Sequence, residues 1–136
     1  MMVDININYL AVLVAGIVNY AIGAIWFGAL FGKLWMDLSG IKEMKPSVGP
    51  MAIGLIGSLV MSFVLAHAVI FANAFMKTDG LGGGLMCGFF NWVGFVAPVT
   101  LGVVIYEKKS WKLWFLNNGY WLIALLAMGA ILSVWK

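Results

Sequence analysis

Four long stretches without a single charged residue decide what this chain can fold into. Charges stand at Asp4, then between Lys33 and Lys45, at Lys77 and Asp79, between Glu107 and Lys112, and at Lys136. Each stretch between them exceeds the roughly 20 apolar residues that a helix needs to cross about 30 Å of hydrocarbon. The spacing predicts membrane-spanning helices near 7–31, 51–75, 81–105 and 113–135. They are joined by loops at 32–50 and 106–112 and a tight hairpin at 75–80. Composition excludes the soluble alternative, because 136 residues that are 64% hydrophobic and 10% charged could not hide so much apolar surface from water. The expected fold is all-α: one polytopic integral membrane domain over 1–136, built as a four-transmembrane-helix bundle in the lipid bilayer.

Lysine asymmetry orients the bundle. Lys33, Lys42, Lys45, Lys108, Lys109 and Lys112 all fall on the first and third loops, against Lys77 and Lys136 on the other side. Positively charged loops stay in the cytoplasm, so both termini are expected outside it. Trp35, Tyr106, Trp111 and Trp114 mark the expected cytoplasmic boundary and Tyr9 and Trp135 the outer one, where amphipathic rings sit. Residues 1–4 lack the positive leading segment of a secretory signal and the following run is too long for one, so the first helix is expected to stay. Pro50 is expected to start the second helix after a loop holding Pro46 and Gly49, with a short interfacial turn around residues 34–38.

The same charges limit function. The eight lysines are scattered and there is no arginine, so no basic patch is dense enough for a nucleic acid. Cys87 is the only cysteine, His67 the only histidine, and the expected spans hold no aspartate or glutamate. Paired carboxylates, a nucleophile with its base and a metal cluster are therefore all missing from the spans, which argues against an enzyme, a metal site or any cofactor. Proton-coupled export through a membrane carboxylate is disfavoured for the same reason. Gly80-Leu81-Gly82-Gly83-Gly84 superficially resembles a phosphate-cradling loop, but no strand precedes it and no Lys-Ser or Lys-Thr follows. It reads as a flexible hairpin into the third helix.

Helices in lipid associate through small residues and interhelical hydrogen bonds. On the third helix Gly84, Cys87, Asn91, Gly94, Pro98 and Gly102 recur every three or four residues and predict one packing stripe, with Phe89, Val93, Val96 and Val103 toward lipid. Pro98 takes the usual partner from the Gly94 carbonyl, which a neighbouring side chain, a water or a ligand must then satisfy. Asn8, Ala15, Asn19 and Gly23 form a stripe on the first helix, and Gly54, Ser58 and Ser62 one on the second. Asn19, Ser62 and Asn91 lie near mid-span, so a shared polar layer is geometrically possible.

His67 is the one residue expected inside a span whose side-chain type can change charge near neutral pH, and is therefore a candidate proton or ligand site as well as a candidate packing residue. Cys87 is expected at a similar depth, facing it if the second helix has two packed faces. Asn117 and Asn118 sit one turn inside the fourth helix, to cap the third loop or bond a lipid headgroup.

Several motifs together resemble a known family. Trp26-Phe27-Gly28-Ala29-Leu30-Phe31-Gly32-Lys33-Leu34-Trp35-Met36, Ala66-His67, Trp92-Val93-Gly94-Phe95 and Asn117-Asn118-Gly119-Tyr120 look like the bacterial membrane family named domain of unknown function 1761. The resemblance covers nearly the whole chain. It implies a small four-helix inner membrane protein and carries no activity or catalytic residue. One departure is Gly28-Ala29, where a small residue followed by proline is expected; it leaves the end of the first helix free to run straighter.

Two roles remain open. One is a structural or accessory bundle that holds a lipid or a membrane protein partner through Trp35, Lys42, Lys45, Trp111, Trp114, Asn117 and Asn118. The other is a homo-oligomeric passive channel or small-solute carrier lined by Asn19, Ser62, Asn91 and the Gly94 carbonyl. A homodimer sharing the stripes of helices two and three is expected in either case.

Overall fold

A computed structural model describes residues 4–43, 45 and 47–136, so Pro46 and residues 1–3 lie outside the described residues. Within them the chain is an all-α bundle with four helices long and apolar enough to cross a membrane: Tyr9–Leu30, Val48–Met76, Gly80–Ile105 and Trp111–Val134, here the first to fourth spans. A short helix, Gly32–Ser39, follows the first span. The start of the first span and the end of the fourth lie together, where Asn8 Nδ2 donates to the Trp135 carbonyl at 3.4 Å and Lys136 pairs with Asp79.

Local chemistry sets the helix ends. Asn8 caps the first span, its side-chain oxygen accepting from the Ala11 amide at 3.1 Å, and Ser110 does the same for the fourth through Leu113 at 3.2 Å. Asn117 and Asn118, expected to cap that region, lie inside the helix instead, and the hydroxyl at the true boundary takes the role. The second span starts at Val48, two residues before Pro50. A proline in the first turn removes an amide that has no intrahelical partner there, so it need not mark the first residue. The short helix stops at Gly40, whose φ of 76° is the left-handed conformation open to a residue without a β-carbon.

Two helical segments widen into π turns, at Ile25–Leu30 and Trp92–Val96. The first overturns the expectation of a straighter first helix: even without a proline, the Phe31 amide reaches back five residues to the Trp26 carbonyl at 2.9 Å. The second breaks the expected stripe of the third span. One extra residue in the turn rotates everything after it by about 100°, so Gly84 and Cys87 face the bundle while Gly94 and Pro98 are exposed. Val96 and Val103, expected toward lipid, swing inward: Val96 packs on the core and Val103 lines a half-open pocket.

The fourth span is the hub, and the other spans pack around it. Its tightest contact is with the third, where Gly84 and Gly88 meet Gly129. A β-carbon at Gly88 would stand 2.5 Å from the Leu125 carbonyl oxygen and 2.9 Å from its carbon, so only glycine allows this approach. The run Gly80 to Gly84 is helical rather than a flexible hairpin, and Gly84 needs its bareness to lie on the Gly129 carbonyl. The core joins Ala11 and Ala15 of the first span, Leu65 and Val69 of the second, Cys87 of the third, and Leu125, Met128 and Leu132 of the fourth.

Candidate functional site

With few charges available, the polar atoms inside the bundle show where chemistry is possible. Near the middle, Asn19 and Ser62 are fully buried. Asn19 Nδ2 donates to Ser58 Oγ at 3.2 Å, Ser62 Oγ donates to the Val12 carbonyl at 2.8 Å, and Tyr120 Oη donates to Asn19 Oδ1 at 2.5 Å. First, second and fourth spans are thereby tied together through side chains that bond one another. Asn91 does not join them. Its Nδ2 donates to the Cys87 carbonyl one turn back at 2.8 Å, because a helical asparagine can satisfy itself on its own backbone. The polar layer thus links Asn19 to Ser58 and to Tyr120, a residue outside the expected set, while Ser62 bonds the Val12 backbone alone.

His67 and Cys87 do not meet either. His67 is half-buried, its Nδ1 lies 2.9 Å from the Phe63 carbonyl of its own helix, and its ring packs edge-on against Phe63 at 4.7 Å. Cys87 instead borders a groove with Ala68, Ala72 and Asn91. One helix position separates His67 from Ala68, and about 100° of rotation puts the histidine on a different face.

The end bearing the short helix is built differently. Trp26 and Trp92, one from each π segment, donate their indole N–H groups to the Leu116 and Asn118 carbonyls at 3.0 and 2.9 Å. Asn118 is buried, donates from Nδ2 to the Trp114 carbonyl at 2.9 Å and accepts the Thr100 hydroxyl on Oδ1 at 3.0 Å. It borders a half-open pocket of about 290 Å³ walled by Phe27, Trp35, Trp114 and Trp121, with Thr100, Asn117 and Asn118 as its polar members. Trp114 Nε1 and Asn117 Oδ1 are both shut off from solvent and have no hydrogen-bond partner. Phe27 holds Trp35 edge-on at 5.6 Å and Tyr120 at 5.2 Å, linking this wall to the mid-span network. Trp35 and Trp114 therefore belong to the cavity as well as to the boundary, while Trp111 is exposed.

Lys42 and Lys45 are exposed on the loop after the short helix, and Lys45 lies 3.8 Å from Glu43. Lys109 of the third loop donates to the Ser39 carbonyl at 3.4 Å, pinning the short helix to the bundle. At the terminal end, a second cleft of about 310 Å³ is lined by Asp4, Asn6, Asn8, Asn73 and Lys136 over an apolar floor. Its rim is locked by a chain of bonds in which Thr78 donates to Asn73, Asn73 to Ser133, and Ser133 to the Gly80 carbonyl. At the same end the Lys136 ammonium and the Gly80 amide, both bonded to Asp79, hold its carboxyl below the usual carboxylate range.

Sequence reasoning missed Tyr120, Thr100 and the two bonding tryptophans. A signal existed for three of them: an indole N–H or phenol buried among apolar helices has to find an acceptor. Thr100 could not be found without knowing about the π turn that aims it. No curated protein and no solved structure matches the chain. The profile described as protein of unknown function (DUF1761) matches residues 10–133, nearly the full length, and the chain belongs to that family.

Proposed function

We propose that this protein is a non-catalytic bundle of the bacterial inner membrane, with both termini outside the cytoplasm, that holds a lipid or a partner protein at its tryptophan-rich end. The observation that carries this reading is the uneven distribution of hydrogen-bonding capacity. At mid-span Asn19, Ser58, Ser62 and Tyr120 are occupied by one another or by backbone. At the short-helix end, Trp111 and the charged loop with Lys42, Glu43 and Lys45 face outward. A structural scaffold spends its interior polar groups on holding helices together and keeps its recognition groups at the rim. Affinity capture from native membranes tests this. Replacing Lys42, Glu43 and Lys45 together by alanine is expected to release a stoichiometric partner or bound lipid that the unaltered chain retains. Capture of the bare chain in both cases overturns the reading.

A homo-oligomeric pore is the second reading, favoured by the open face of the third span, of which 6% of the apolar window is buried. There Gly94 and Pro98 are exposed and could line a path between copies, a dimer being the smallest assembly that pairs them. Native mass measurement from lipid and solute flux into proteoliposomes test it. A monomeric mass with no flux removes it.

A further inference from the structure

We infer that the lysines at the short-helix end form a docking surface for anionic phospholipid headgroups. Charge is divided unequally between the two ends of the bundle. At the terminal end Asp4 and Asp79 balance Lys77 and Lys136. At the other, Lys33, Lys42, Lys45, Lys108, Lys109 and Lys112 meet only Asp37, Glu43 and Glu107, so the chain's whole net charge of +3 stands there. All six lysines are exposed, and among the described residues the one ion pair at that end is Lys45 with Glu43 at 3.8 Å.

Four of the six are fixed by the ends of the spans. Lys33 is the second residue of the short helix and stands three residues past Leu30, where the first span ends. Lys112 is the second residue of the fourth span, and Lys108 and Lys109 lie on the link between Ile105 and Trp111. That link is folded onto the third span: the Glu107 amide donates to the Gly102 carbonyl at 3.2 Å and the Lys109 amide to the Val103 carbonyl at 3.1 Å. The Lys109 ammonium then reaches across to the Ser39 carbonyl at 3.4 Å and joins the link to the end of the short helix. Like charges held along one edge repel, and a bound anion relieves the repulsion.

Depth selects the source of that anion. Each of the four lies close to a span end and so at the level of the headgroups, where a lysine stem runs along apolar surface and its ammonium reaches the phosphates. Leu34, Tyr106 and Trp111 are interleaved with them and exposed; such side chains belong at a membrane boundary and not beneath a soluble polyanion. Because the edge is net positive, it favours a headgroup with a net negative charge over a zwitterionic one, whose own ammonium offsets its phosphate.

This inference rests on the reading of the short-helix end as a recognition surface and names its ligand class. The test places the full chain in phosphatidylcholine vesicles with a trace of spin-labelled phosphatidylglycerol or spin-labelled phosphatidylcholine. Electron paramagnetic resonance then reads how much of each label the protein holds. In about 0.1 M salt the anionic label is expected to be held at least threefold more strongly, and that preference to fall by at least half in about 1 M salt, where screening leaves a Debye length of about 3 Å. Replacing Lys33, Lys108, Lys109 and Lys112 together by glutamine should also cut it by at least half, and Lys77→Gln at the terminal end should leave it unchanged. The salt series on the unaltered chain stands even where the fourfold variant misfolds. A preference under threefold, one indifferent to salt, one kept by a folded fourfold variant, or an equal fall in Lys77→Gln overturns the inference. Displacement of the anionic label by millimolar glycerol phosphate overturns it too, by putting the source in solution. No lipid preference, together with loss of a captured acidic protein in the fourfold variant, would give the surface to a protein partner instead. Capture that depends on Lys42, Glu43 and Lys45 involves none of the four substituted lysines, so the two ideas fail separately.

Discussion

Replacing Gly88 by alanine gives the sharpest test of how the bundle is held together. The added β-carbon would lie 2.5 Å from the Leu125 carbonyl oxygen, 2.9 Å from its carbon and 3.2 Å from the Leu126 nitrogen. All three are backbone atoms, so no rotamer change relieves the overlap and the third and fourth spans must separate by several tenths of an ångström. Overpacking of this kind costs about 1–3 kcal/mol. Alanine gains back roughly 0.8–1 kcal/mol of helix propensity, so the net loss expected is about 0–2 kcal/mol, and the difference from a clash-free alanine about 1–3 kcal/mol. Gly57→Ala is the matched control, because it is also mid-helix and its β-carbon meets nothing within 4 Å; it keeps the propensity gain without the clash. Reversible unfolding in mixed micelles, followed by tryptophan fluorescence, measures both. A Gly88→Ala protein as stable as Gly57→Ala would refute the glycine contact as the seam of the bundle.

Tyr120→Phe deletes the hydroxyl that reaches the buried Asn19 side chain; the same unfolding assay is expected to show a loss of about 1–2 kcal/mol, since an acceptor is left unmet where water cannot follow. Thr100→Val removes a hydroxyl that stands 2.9 Å from the Val96 carbonyl, 3.1 Å from the Ala97 carbonyl and 3.0 Å from Asn118 Oδ1; it should lower stability by about 0.5–1.5 kcal/mol if the proton goes to Asn118, and a neutral result would assign it to the helix's own backbone. Asp79 is held below 3.8 by Lys136 and Gly80, so its folded-state pKa is depressed. Its contribution is present above the unfolded value and is lost as pH falls through the folded one. A carboxyl carbon titration by NMR should place its midpoint under 3.8, moving back toward 3.8 in Lys136→Gln; a midpoint at or above 3.8 in the unaltered chain would contradict the pairing.

The spans were legible because they depend on a quantity carried residue by residue, namely the absence of charge over long runs. Faces were legible only as far as the α-helical period held. On the second span, Ser58 and Ser62 do face the first span, and on the third, Gly84 and Cys87 face inward. Beyond Asn91 the same arithmetic fails, because a π turn shifts the register by one residue and nothing in Trp92-Val93-Gly94-Phe95-Val96 announces it. Pro98 was read as the source of irregularity one turn upstream, and the irregularity is there, but as a widened turn that sends Gly94 outward. His67 illustrates the other limit. Its rarity within a span marks it as a candidate, yet rarity does not tell whether a ring faces a neighbour or its own backbone, and here it is the Phe63 carbonyl that it meets.

These two limits meet at the tryptophan-rich end. Trp92, which opens the second π turn, and Thr100, which follows it, reach the same asparagine, one on its carbonyl and the other on its side chain. Trp26, next to the start of the first π segment, does the same for the Leu116 carbonyl. Each widened turn therefore presents an indole to the same stretch of the fourth span, and Asn117 falls between the two anchored residues with its own oxygen unmet. A bundle held together only by small-residue contacts, as Gly84, Gly88 and Gly129 hold the other end, would have no need of two such distortions. Their convergence on one stretch of helix separates the molecule into a half held by glycine contacts and a half held by indole and amide hydrogen bonds.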